Sequence, residues 1–120
     1  MLSLISSLQW LRRLWTGLRG RKGRIPCLRV EDLPENLDSH IFYIVFDSGR
    51  PWHASMSCPC GCGEAIHLNL LPDERPRWQI QEHFDGTASA TPSIWRTQGC
   101  RSHFWLQRGR IMWAGSDRSD

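Results

Sequence analysis

Two groups of metal-binding side chains constrain this chain more than any other feature of its sequence. Cys58, Cys60 and Cys62 stand at alternate positions in the stretch CPCGCG, and Cys100 and His103 form a Cys-x-x-His pair further on. Cysteines two residues apart pair poorly as disulfides, because a disulfide requires particular Cα and Cβ separations. Thiolate sulfur and imidazole nitrogen are the ligands that zinc takes in small domains. We therefore predict a fold that brings both groups together around one Zn²⁺ ion.

The sequence leaves the identity of the zinc ligands open. A tetrahedral site has four positions, and five side chains compete for them: Cys58, Cys60, Cys62, Cys100 and His103. We expect the ligands to come from some combination of Cys60, Cys62, Cys100 and His103. Cys58 is either a further ligand or a thiol just outside the ligand shell. His67 is a weaker candidate, because a strand histidine that faces outward is usually solvated.

The number of protein ligands decides the function, and Glu64 is the residue on which an active site would depend. Four protein ligands make a closed structural site, whereas three ligands and a water make a site that hydrolyses substrates. An open site needs a general base, and Glu64 follows Cys62 by two residues. In a closed site Glu64 is an exposed glutamate after a glycine turn. The His-Glu-x-x-His and His-x-Glu motifs of known zinc hydrolases and deaminases are absent.

Short apolar runs between turn residues predict a mainly β protein, a small antiparallel domain built around a zinc knuckle. The expected strands are 41–46, 52–57, 65–70, 78–83, 87–91, 103–107 and 110–114. We divide the chain into a basic amphipathic helix and linker over 1–23, the zinc-binding β domain over 24–115, and a disordered tail over 116–120. The seven tryptophans are expected mostly to fill the core.

Charge and cysteine content limit the partners and the compartment. The formal net charge is only +3, and the basic residues concentrate near the N-terminus. This disfavours nucleic-acid binding by the folded part. The N-terminal helix is compatible with a membrane surface, but packing on the domain or on a partner is favoured. A secretory signal is not apparent, so we expect a reducing cytoplasmic location, where clustered cysteines bind metal.

Several motifs together resemble a known protein family. The motifs are CPCGCG, the segments 92–95 (PSIW) and 99–105 (GCRSHFW), and the segment 109–113 (GRIMW). Over residues 24–114 the chain resembles a family of small bacterial zinc-binding proteins. Members are often encoded beside ubiquitin-like proteins and their activating and conjugating enzymes, in systems linked to phage defence. The resemblance implies a zinc-dependent peptidase that processes or removes the ubiquitin-like protein, with that protein and those enzymes as partners.

The implied mechanism uses Glu64 as the base of a zinc-bound water, with Ser93 and Ser102 orienting the substrate or the ligands. Thiolate-rich ligation makes zinc a weaker Lewis acid, because negative ligands neutralise its charge. The alternative is a non-catalytic module with a structural zinc that recruits a ubiquitin-like protein or a conjugation enzyme. Nucleic-acid binding through the knuckle and the basic tail is a third, less favoured reading.

Overall fold

The computed structural model describes residues 23–114 and shows a mainly β protein. Its eight strands are β1 (Cys27–Val30), β2 (Phe42–Asp47), β3 (Arg50–Ser57), β4 (Ala65–Asn69), β5 (Gln79–Glu82), β6 (Ala88–Trp95), β7 (His103–Gln107) and β8 (Arg110–Trp113). They form two four-stranded sheets, with the orders β1-β2-β3-β4 and β5-β6-β7-β8. The helix expected before residue 20 and the tail expected over 116–120 lie outside the described residues.

The two sheets bury their inner faces in one shared core. Alternate positions of each strand point inward, as the two-residue period of a strand requires. The core side chains are Phe42, Ile44, Ala54, Met56, Cys58, Ile66, Leu68 and Leu70 from the first sheet, with Ala88, Ala90, Ile94, Phe104 and Leu106 from the second. Within residues 23–114, no helix is long and apolar enough to cross a membrane.

Strand β2 is buried on both faces, which explains why its sequence is apolar without alternation. Tyr43 and Val45 point away from the shared core, yet both are buried. The Tyr43 hydroxyl accepts a hydrogen bond from the Asp38 N–H at 3.0 Å, in the segment between β1 and β2. Strand β1 pairs with β2 in parallel. The expected antiparallel arrangement therefore holds for every strand pair except this one, since the residues between β1 and β2 form a long crossover rather than a hairpin.

Strand β6 runs past the point where the sequence predicts its end. The prediction stops at residue 91, and the next residue, Pro92, has no N–H to donate to a neighbouring strand. The observed strand continues to Trp95, and its register against β7 shifts between Ala90 and Ile94. Such a bulge accommodates the proline by leaving residues unpaired. The bulge also lies at Ser93, on the outer face of the second sheet.

The prediction that the tryptophans fill the core is wrong for four of the five within the described residues. Trp52, Trp95, Trp105 and Trp113 are exposed, and only Trp78 packs against the core. In β6 and β7 the inner positions belong to Ile94, Phe104 and Leu106. Trp95 and Trp105 alternate with these residues and must point outward. The outer face of the second sheet is consequently rich in aromatic side chains.

Candidate functional site

The first cysteine group forms a tight knuckle in the loop between β3 and β4. The Cys58 N–H donates to the Glu64 carbonyl at 2.8 Å, and the Gly61 N–H donates to the Cys58 carbonyl at 3.1 Å. Gly61 and Gly63 have φ angles of 91° and 87°, a conformation that side chains with a Cβ rarely adopt. The glycines between the cysteines thus let the chain turn sharply enough to aim all three sulfurs at one point.

The loop between β6 and β7 brings the fourth sulfur to the same point. The sulfur atoms of Cys58, Cys60, Cys62 and Cys100 all lie within 4.8 Å of one another. Cys58 Sγ is 3.4 Å from Cys60 Sγ and 3.6 Å from Cys100 Sγ. A tetrahedral zinc with bonds of about 2.3 Å to sulfur separates its ligands by roughly 3.8 Å. The geometry and the all-sulfur donor set therefore fit a zinc ion.

Hydrogen bonds prepare two of the four sulfurs to lose a proton. Bonds from the Ser102 side chain and backbone lower the pKa of Cys100 to about 6. Burial raises the pKa of Cys58, but bonds from the Cys60 backbone and the Ser102 side chain outweigh it and lower the pKa overall. The bond shared with Cys58 raises the pKa of Cys60 to about 11. Since the thiolate is the form that binds metal, these hydrogen bonds favour the metal-binding form of Cys58 and Cys100.

Glu64 belongs to the wall of this cluster, where it pairs with an arginine. Its carboxylate accepts a hydrogen bond from Arg96 Nη2 at 2.9 Å. Arg96 Nη1 lies 3.5 Å from the sulfurs of both Cys62 and Cys100. The hydrogen bond to Glu64 raises the pKa of Arg96 further above its ordinary value, so the guanidinium stays charged. Glu64 therefore anchors a cation that faces the thiolates.

His103 lies away from the sulfur cluster and contacts a serine instead. His103 Nε2 is 2.9 Å from Ser93 Oγ, and both side chains are half-buried on the outer face of the second sheet. The ring stacks on Trp95 with centroids 4.9 Å apart and lies 5.6 Å from the centroid of Trp105. The expected mixed cysteine and histidine ligand set thus differs from the observed grouping, which consists of four cysteines.

The other predicted residues have simpler surroundings. His67 Nδ1 is 2.7 Å from Ser55 Oγ, at the outer face of the first sheet. Ser102 lies 3.1 Å from Cys100 Sγ and 3.6 Å from Cys58 Sγ, so it contacts the sulfurs rather than a substrate. Cys27 packs against the core, and burial raises the pKa of its thiol to about 11. It takes no part in the cluster.

Four serine–histidine pairs occur in the described residues, and only one suits nucleophilic chemistry. Ser39 contacts His40, its neighbour in the chain, through Nδ1 at 3.3 Å rather than through Nε2. Ser55, which bonds His67, is fully buried and out of reach of a substrate. Ser89 bonds His83 at 2.7 Å, but its oxygen also accepts the Arg108 N–H at 2.9 Å. Ser93 has its one hydroxyl contact with an imidazole Nε2 on an open face. This is the nitrogen that takes the serine proton in serine proteases.

Sequence reasoning missed the pairing of Ser93 with His103 because it assigned the histidine to the metal. The Cys-x-x-His spacing is common among zinc ligands. Because Cys100 was predicted to bind zinc, His103 was predicted to bind it as well. The signal that identifies the pair is strand alternation: Ser93 and Trp95 share one face of β6, and His103 and Trp105 share the facing side of β7. Trp95 pairs with His103 in the ladder.

Fold and site together define a small two-sheet β protein with a cluster of four cysteines that could hold a metal ion and a half-buried serine–histidine pair. Residues 29–114 match the family described as BubE, the bacterial ubiquitination-like system serine protease. This match covers well over half of the chain, so the protein belongs to the BubE family. Comparisons with characterised proteins and with solved structures returned no match.

The family confirms the resemblance seen in the sequence to proteins of a bacterial ubiquitination-like system. Its description supports a protease role in that system, and it names a serine protease. Dependence on zinc for the chemistry is not part of that description. The cysteine cluster and the serine–histidine pair therefore need separate explanations.

Proposed function

We propose that this protein is a serine protease of a ubiquitin-like conjugation system, with Ser93 as nucleophile and His103 as general base. The observation that carries the proposal is the 2.9 Å contact between Ser93 Oγ and His103 Nε2 on an accessible sheet face. A nucleophile and its base must lie within hydrogen-bond reach, about 2.6–3.2 Å. The family description supports this class of chemistry.

The proposed reaction proceeds through an acyl-enzyme. Ser93 Oγ attacks the scissile carbonyl carbon while its proton passes to His103 Nε2. The carbon–nitrogen bond then breaks, and His103 returns the proton to the departing amine. Water attacks the resulting ester, gives its proton to His103, and releases the acid as Ser93 recovers its hydrogen. The products are a free carboxylate and a free amine.

The four sulfurs support a structural role for zinc in this proposal. Four thiolates complete a tetrahedral shell and leave no position for a water or a substrate. When bound, zinc would supply a cross-link between the β3–β4 loop of one sheet and the β6–β7 loop of the other. The β6–β7 loop joins the strand that carries Ser93 to the strand that carries His103. The cluster thereby fixes the hairpin on which the reacting pair lies.

The surroundings of Ser93 suit an extended peptide. Trp78 Nε1 donates to the Ser93 carbonyl at 3.2 Å. The bulge at Ala90–Ile94 leaves backbone groups beside Ser93 outside the regular ladder, and an extended chain can pair with such groups. The substrate we propose is the C-terminal segment of the ubiquitin-like protein, with the conjugation enzymes as further partners.

Labelling with a fluorophosphonate probe tests the nucleophile directly. We expect a single covalent adduct on the peptide that contains Ser93, because the probe reacts with serines activated by a neighbouring base. His103→Ala should abolish the adduct. Mass spectrometry of the digested protein identifies the labelled residue.

Ser89→Ala is the matched control for this labelling, since it removes a second pair in which a serine contacts a histidine Nε2. It should label like the wild type. A wild-type protein that takes up no label, or takes it up at Ser89, would refute the assignment of Ser93.

Glu64→Gln separates the serine mechanism from one that uses a zinc-bound water. We expect the variant to keep most of its cleavage activity, because the amide oxygen still accepts the bond from Arg96. Loss of a true general base would lower kcat by about 10²- to 10⁴-fold. Steady-state cleavage of a ubiquitin-like fusion protein measures the difference.

Glu82→Gln is the control for Glu64→Gln, because Glu82 forms an ion pair of the same length, 2.9 Å, with Arg29. Equal activities of the two variants support our proposal. A large loss of kcat in Glu64→Gln alone would instead support a mechanism in which Glu64 is the general base of a zinc-bound water.

A further inference from the structure

The imidazole of His103 lies close to two indole rings. The ring planes of Trp95 and His103 differ by only 13°, with centroids 4.9 Å apart. Trp105 is tilted by 32°, with its centroid 5.6 Å from that of His103. The three residues come from neighbouring strands: Trp95 pairs with His103 across the ladder, and Trp105 follows two positions later on the same face. The aromatic rings thus lie close to the imidazole on the open side of the sheet.

A catalytic histidine needs two kinds of support from its surroundings. Its ring must keep one nitrogen aimed at the nucleophile, and the cation formed by proton transfer must be stabilised. In a serine–histidine–aspartate triad the carboxylate does both by bonding the second nitrogen. Within residues 23–114, hydrogen bonding by the His103 ring is confined to Ser93. Another type of contact has to provide this support in the described part of the chain.

We propose that Trp95 and Trp105 are positioning residues that perform the task a triad carboxylate performs elsewhere. This inference rests on the proposed roles of Ser93 and His103. Rotation of the imidazole out of its plane would break its parallel stack on Trp95 and would turn Nε2 away from Ser93. The stack therefore holds the ring in the orientation that the proton transfer needs.

The same indole faces stabilise the charged form of the ring. An indole carries negative charge on its face and is the best aromatic partner for a cation, within about 6 Å of the ring centroid. Both centroid distances lie below that limit. The attraction grows when His103 becomes a cation, so it acts more strongly after proton transfer than before. An interaction of this kind raises kcat rather than ground-state binding.

The exposure of Trp95 also indicates a role beyond packing. Its side chain is 63% exposed, although the chain buries smaller apolar side chains completely. An exposed indole contributes little to the core, so its replacement leaves the fold largely intact. Trp95 therefore allows a clean test of positioning.

The test compares Trp95→Leu and Trp95→Phe, with Trp52→Leu as the control. Trp52 is 46% exposed in the other sheet, on β3, and reports the general effect of losing a surface indole. Two rates are measured: kcat and KM on a ubiquitin-like fusion protein, and labelling of Ser93 by a small fluorophosphonate. The small probe does not extend over the surface, so its rate reports activation of Ser93 alone.

We expect Trp95→Leu to lower both kcat and the labelling rate about tenfold, with KM nearly unchanged. Trp95→Phe should recover most of that loss, because phenylalanine still offers an aromatic face. Trp105→Leu should act in the same direction, and Trp105→Phe guards against a folding defect in that variant, since Trp105 is less exposed. Trp52→Leu should match the wild type.

Other outcomes overturn the inference. A rise in KM with unchanged kcat and labelling would make Trp95 a substrate-docking residue only. Equal loss in the leucine and phenylalanine variants would rule out stacking as the cause. Failure of wild-type Ser93 to label would instead refute the proposed function, so the two failures are distinguishable.

Discussion

Ser93→Ala is expected to reduce cleavage of a ubiquitin-like fusion protein to the background rate. Loss of the nucleophile in an enzyme of this class lowers kcat by about 10⁴- to 10⁶-fold, because no second residue can form the acyl-enzyme. Ser93 Oγ is the oxygen that contacts the histidine Nε2 on the open face. Gel-based cleavage with purified protein over several hours measures a loss of this size.

A double variant tests whether Ser93 and His103 act together. Ser93→Ala and His103→Ala remove parts of one unit, so the double variant should be no slower than either single variant. Additive losses would contradict a shared role. Ser89→Ala serves again as the control and should retain wild-type activity, because its hydroxyl is occupied by the turn at Arg108. Full activity in Ser93→Ala would exclude the serine mechanism altogether.

Much of the fold follows from local sequence patterns. The boundaries of β7, predicted over 103–107, and of β4, predicted over 65–70, agree with the structure to within one residue. These strands alternate clearly between buried and exposed side chains, and turn residues flank them. β1 was not predicted, because Cys27–Val30 has no clear alternation and its partner lies across a long crossover. Parallel pairing of this kind leaves little trace in the local sequence.

The cysteine cluster was predicted in part, and the contact between Ser93 and His103 was not. Three cysteines separated by small or turn-forming residues indicate a knuckle from local sequence alone. The choice between Cys58 and His103 as the remaining ligand depends on where the chain goes after Cys100, which is a tertiary property. Ser102 turns toward the sulfurs, and its neighbour His103 enters β7 facing Ser93. One position along the chain thus separates a residue beside the sulfurs from a residue beside Ser93.

The loop between β6 and β7 links the cysteine cluster to the Ser93–His103 pair. Residues 96–102 begin directly after β6 and end directly before β7. The Arg96 N–H donates to the Ser102 carbonyl at 2.8 Å, which closes the base of this loop. The loop that carries Cys100 is thus joined directly to both strands. Under the proposed function, a metal held by the four cysteines would fix this hairpin loop, which a single modest core leaves poorly fixed.

Removal of zinc is expected to lower the stability of the whole domain rather than to affect the chemical step alone. Zinc-bound structural sites contribute folding free energy directly, and the four sulfurs join loops of both sheets. Loss of about 3 kcal/mol would lower the melting temperature by roughly 12–24 °C in a domain of this size. We expect one zinc per chain by elemental analysis, and a fall in melting temperature of at least this size in Cys60→Ser or after treatment with a strong chelator.

Two variants make this prediction specific. Cys27→Ala should keep the zinc and melt close to the wild type, because Cys27 lies outside the cluster and only packs against the core. His103→Ala should also keep one zinc per chain while losing cleavage, because the imidazole contacts Ser93 rather than the sulfurs. Loss of zinc from His103→Ala would show that His103 is a zinc ligand. A chelated protein that stays folded but no longer cleaves would show that the metal takes part in the chemistry.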